Sequence, residues 1–160
     1  MNRAHAVAPE RGIGDLLAGA QFVDAYSVVA PSGVADAMEA ARRMIARSPD
    51  WATRLMALRN TLVKPLGLKV DGGTEEGVEK LGLFPVVSAT PRRVVFGFED
   101  RHLDFRGVVD VADAPELAGA SRVTLSTLVR LHNLFGRAYL TAILPFHGRI
   151  VRGWLDELAR

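Results

Sequence analysis

The chain has 160 residues, the length of one domain, and 49% of them are hydrophobic, enough to bury a core and to exclude a disordered chain. A formal charge of +2 is too small to argue for nucleic acid. There is no Cys, which excludes disulfides, thiolate chemistry and cysteine-ligated zinc.

Residues 1–19 carry Gly12, Gly14 and Gly19 with weak periodicity, and read as a loosely ordered extension of a single domain spanning 1–160. Arg3, Glu10, Arg11 and Asp15 leave no apolar core for a leader, and no apolar run approaches a membrane span, so a cytoplasmic protein is expected. Gly12-Ile13-Gly14 lacks the third glycine and the preceding strand of a dinucleotide loop, and no cofactor is expected. Gln21 to Val29 alternates as a first strand, with Phe22, Tyr26 and Val28 on the core side. Pro31-Ser32-Gly33 ends it.

Val34 to Arg47 reads as a helix burying Val34, Ala37, Met38, Ala41 and Ile45. Ser48-Pro49-Asp50 breaks it. A second helix is expected over Trp51 to Val63, and Lys69 to Gly82 reads as an exposed loop rich in Gly and Glu. From Gly82 onward the period switches to that of strands: Phe84 to Ala89, Arg92 to Glu99, Arg101 to Val111 and Arg122 to His132. Asp113 to Ala120, with Pro115 and Gly119, is a turn region. Phe135 to Arg160 then repeats apolar residues at Tyr139, Ala142, Ile143, Phe146, Ile150, Trp154, Leu155 and Leu158, the stripe of a long helix. Asn133 fits its N-cap, and Pro145 inside it predicts a kink.

Consecutive strands joined by short turns are antiparallel, and a long helix laid across them makes an α+β domain. If the sheet wraps around the C-terminal helix, the arrangement is the helix grip of START-like proteins, which encloses a cavity. The segments Gly97 to Arg106, Thr127 to Asn133, Gly136 to Tyr139 and Leu144 to His147, together with Arg59-Asn60, resemble domain-of-unknown-function family 2867. That resemblance runs from about Asp24 to Leu155. It implies a small bacterial protein of stand-alone form, and it assigns no catalytic residues.

Two groups of polar residues stand out. His102, Asp104 and Arg106 project from one face of a strand, with Arg130 and His132 on a neighbouring strand. They make either an acid–base or anion site or a cross-strand ion-pair ladder on the solvent face, and Asp104 is expected to pair with an Arg in either case. His147 falls on the apolar side of the last helix, either as a hydrogen-bonded core residue or beside a ligand. No metal site is expected.

The expected ligand-binding residues are Phe96, Phe98, Phe105, Tyr139, Phe146 and His147, around space left by the small residues Gly107 and Thr127 and by the kink at Pro145. On this basis the expected partner is a small hydrophobic or amphipathic molecule held under the helix. Two alternatives stay open: an enzyme of the cyclase or hydrolase type using the same cavity, with His147 or Tyr139 moving the proton, and an interaction protein with a filled core. A homo-oligomer is compatible with each.

Overall fold

A computed structural model describes residues 2–48, 77–82 and 84–160, with the isolated positions 50, 54, 57 and 64. The expected helix over Trp51 to Val63 and most of the expected loop over Lys69 to Gly82 lie outside the described residues.

The described residues form an antiparallel sheet of seven strands in the order β1-β2-β7-β6-β5-β4-β3. These are β1 (His5–Ala6), β2 (Phe22–Ala30), β3 (Lys80–Leu81), β4 (Phe84–Ala89), β5 (Arg93–Glu99), β6 (Leu103–Asp113) and β7 (Ser121–Leu131). Helices α1 (Ala37–Ala46) and α2 (Leu134–Asp156) accompany them. The fold is therefore α+β, with a long C-terminal helix on an antiparallel sheet in a helix-grip-like arrangement. Among the described residues no helix is long and apolar enough to cross a membrane.

Strand alternation decides which side chains meet. The register pairs Phe22 with Val129, Tyr26 with Leu125 and Val28 with Val123 across β2 and β7, and Phe98 with Phe105 across β5 and β6. Directly opposed residues share a face, so these rows build one continuous apolar surface. Helix α1 packs on one end of it. Asp36 caps that helix by accepting from the Glu39 amide at 2.8 Å. The buried stripe of α1 is Ala37, Ala40, Ala41 and Met44, whereas the sequence points to Val34, Met38 and Ile45 along with Ala37 and Ala41; these three are only partly buried at the edge of the core. Small alanines let the helix backbone approach the sheet closely.

Helix α2 rests on the same face at its two ends. At its start Asn133 caps it, accepting from the Gly136 amide at 3.0 Å. Gly136 itself sits against β6, where a Cβ would lie 2.1 Å from the His102 carbonyl oxygen. Toward its C-terminal end Ile150, Val151 and Leu155 are buried in the core, and Gly148 crosses close over the Tyr26 hydroxyl. Between these anchors no residue of the helix is buried. The helix continues through Pro145, and Thr141, whose carbonyl loses its helical donor there, lies in an exposed turn. A short 3-10 turn, Glu157–Ala159, follows where the sequence reads continued helix.

The opposite face of the sheet is covered too. Residues 13–17, within the stretch read as a loose extension, form a 3-10 helix whose Ile13 and Leu17 pack on Val95, Val108 and Leu128. The N-terminal segment is also tied to α2, since the Ala4 amide donates to Asp156 at 2.7 Å.

Candidate functional site

Because α2 bridges the sheet between two anchored ends, space remains beneath its middle. A half-open cavity of about 120 Å³ lies there. Phe22, Leu125, Thr127 and Val129 line it from β2 and β7, and Phe84, Phe96, Phe98, Leu103 and Phe105 from β4, β5 and β6. From the helix come Tyr139, Leu140, Ile143, His147, Ile150, Val151 and Trp154. The phenylalanines form their own cluster, with Phe84 ring centroids 5.3 Å from Phe105 and 6.2 Å from Phe98, the latter nearly parallel. Such contacts fix ring positions through their quadrupoles as well as by burial.

Five of the six residues singled out in the sequence thus line one cavity: Phe96, Phe98, Phe105, Tyr139 and His147. Phe146 does not; it is 43% exposed on the flank of the helix. Positions 146 and 147 are three and four residues past Ile143, and the helix places His147 inward at that turn. Gly107 also differs from expectation. It opens no space, because the Phe96 ring lies directly over it; a Cβ there would sit 2.3 Å from that ring. Thr127, which stands opposite Gly107 in the same cross-strand row, does line the cavity.

One residue escaped the sequence reading. Asp24 on β2 accepts a hydrogen bond from His147 Nε2, with its two carboxylate oxygens 3.0 and 3.2 Å away. Both side chains are partly buried. Phe22 holds the imidazole from its side in an edge-on ring contact at 5.7 Å. Asp24 stands directly opposite Thr127 in the register, and Thr127 and His147 both line the cavity, so polar groups gather at this part of a mainly apolar wall. The signal was available: Asp24 shares the parity of Phe22, Tyr26 and Val28, so it sits on the inward face of β2, where an acid is anomalous. Trp154 adds a second polar atom in the apolar surroundings, an indole Nε1 that is buried with no partner among the described residues.

The second polar group lies on the other side of the sheet. Asp104 is 2% exposed and accepts from Arg130 Nε at 2.9 Å, from His132 Nε2 at 2.9 Å and from the Asp100 amide at 3.3 Å. Burial pushes its pKa up, but the hydrogen bonds from His132 and Arg130 outweigh that and hold it below the ordinary carboxylate value. The expected pairing with an Arg is present, though as a buried knot and not a solvent-face ladder. Arg130 also donates to the Ala18 carbonyl at 3.0 Å, fastening the N-terminal segment. His102 and Arg106 do not join it. His102 meets the Phe135 ring at a tilt, 4.6 Å between centroids, beside the helix cap, and Arg106 pairs with Glu99 at 2.9 Å. Among the described residues no three His, Asp or Glu side chains cluster as metal ligands.

Residues 16–154 match the family described as "Protein of unknown function (DUF2867)". The chain belongs to this family. No curated protein matches it. Among solved structures it is similar to TTHA0849, a protein of Thermus thermophilus, at 12% identity and a TM-score of 0.35, over 86% of this chain and 94% of that one. A likeness that weak carries no argument about fold or function.

The geometry sets a contrast between two substitutions. Phe146→Ala should leave cavity binding unchanged and shift stability by no more than about 0.5 kcal/mol, as exposed sites usually do. Thr127→Phe places a ring inside the cavity and should abolish binding of any ring-sized probe. Titration of both variants with one apolar probe, read by NMR, checks the pair. Loss of binding in Phe146→Ala with retention in Thr127→Phe would place the site elsewhere.

Proposed function

We propose that this protein is a binding module for a small hydrophobic or amphipathic molecule, held in the cavity between the sheet and α2. The single observation that carries this reading is the half-open space itself, walled by aromatic and aliphatic side chains with a few polar groups. Ligand pockets have that composition, and a well-packed core has few voids larger than a water molecule. At about 120 Å³ the space approaches the engineered cavity of about 150 Å³ that takes benzene. The guest, or the part of it that enters, is therefore about one ring in size.

Thermal unfolding in the presence of small apolar probes tests the proposal. A probe at ten times its Kd adds about 1.4 kcal/mol, a rise of about 3–6 °C in Tm for a chain of this length. No rise with any of a broad set of ring-sized probes would leave an interaction protein in place of a binding module. The His147–Asp24 pair favours a second reading, an enzyme of the cyclase or hydrolase type using the same cavity. His147 would then move a proton, and His147→Gln would stop turnover while leaving substrate bound.

A further inference from the structure

We propose that the molecule taken by this cavity is a small ring bearing a hydroxyl, a phenol in chemical class, whose O–H donates to His147 while Asp24 holds the imidazole in place. The inference rests on the binding reading above and adds the identity of the polar group that the site recognises.

An ionised carboxylate only accepts hydrogen bonds, so the imidazole nitrogen facing Asp24, Nε2, carries the hydrogen. In the neutral ring Nδ1 is then an acceptor, and the hydrogen bonds of this imidazole among the described residues run from Nε2 to Asp24. When the ring is neutral, that nitrogen takes a donor. Thr127, in the same patch, supplies a hydroxyl that can serve the guest's oxygen in return.

Charge narrows the class further. No Lys or Arg lines the cavity among the described residues, and the carboxylate of Asp24 adjoins His147. An anionic guest would be desolvated beside a negative charge with no cation against it, which disfavours a carboxylate. The walls favour an aromatic guest, because Phe84, Phe98 and Phe105 offer both ring edges and ring faces. The volume admits about one ring.

Phenol and toluene have the same number of non-hydrogen atoms and nearly the same shape, so their affinities isolate the hydroxyl. An unpartnered apolar site prefers toluene, because the phenol hydroxyl leaves water for nothing. The test is NMR titration of the full chain with phenol, toluene and benzoate. Phenol should bind at least about tenfold more tightly than toluene, the effect of one good hydrogen bond, and benzoate should bind most weakly. In His147→Leu the preference for phenol should vanish or reverse. Should that variant fail to fold by circular dichroism, Asp24→Asn replaces it, and the preference should shrink there as well. Toluene or benzoate binding as tightly as phenol, or a variant that keeps the full preference, overturns the hydroxyl assignment and leaves the binding module standing. If none of the three binds up to its solubility limit, the binding reading and this inference fall together.

Discussion

Gly97→Ala should destabilise the protein by about 3 kcal/mol or more, a large part of the stability of a domain this size. Gly97 has φ of 152°, a region that L-residues rarely enter, and a Cβ built there lies 2.0 Å from the Phe105 carbonyl oxygen. It sits in β5 opposite Arg106 of β6, between Glu99 at the strand's end and Phe96 in the core. The strain cannot be relieved by a side-chain rotation, since the obstacle is backbone. Moving either strand displaces Phe96, Phe98 or Phe105, all three of which wall the cavity. The loss should therefore appear both as a lower midpoint in denaturant and as weaker binding of any cavity probe. Gly14→Ala is the control. That position has no atom within 4 Å of an added Cβ and should change stability little. A Gly97→Ala protein with unchanged midpoint would mean that β5 and β6 do not meet as described.

Most of the sheet was legible in the sequence, for one physical reason: a face buried against helices forces alternation. Arg122 to His132 alternates cleanly and is β7 within one residue at each end. Phe84 to Ala89 is β4 as expected. The C-terminal helix was legible through its stripe and through Asn133, whose cap is present. What escaped depended on contacts distant in sequence. The cover of Ile13 and Leu17 on the outer face is two residues of a five-residue turn, too short for any period to register. Asp24 was passed over because its partner lies 123 positions away, on another element. Phe146 and His147 are neighbours on a 100° wheel, and only the anchoring of α2 at Gly136 and Gly148 settles which of them turns inward. The strand spacing gives the pairing of Asp104 with an arginine, whereas its burial comes from contacts that alternation does not carry.

That burial sets the other large effect. Asp104→Ala should cost about 2–3 kcal/mol in chemical denaturation. Removing one partner of a buried pair typically costs about 3–5 kcal/mol, because the other charge is left without compensation. Here the side chains of Arg130 and His132 are 35% and 36% exposed, so water recovers part of the loss and the expected value falls below that range. The pH dependence follows from the direction of the Asp104 shift. Its folded pKa lies below the unfolded value of about 3.9. The carboxylate's contribution is then fully present above that value and is lost as pH falls through it toward the depressed folded pKa. The wild-type protein should lose stability over this acid window more steeply than Asp104→Ala, and the two curves should converge at its lower end. A cost under about 1 kcal/mol at neutral pH, with parallel acid limbs, would return Asp104 to an exposed ladder. A full cost with convergent limbs has a further consequence. Arg130 grips the Ala18 carbonyl as well as Asp104, so the variant should also loosen residues 13–17 from Val95, Val108 and Leu128, seen as faster amide exchange on the outer face of β5, β6 and β7.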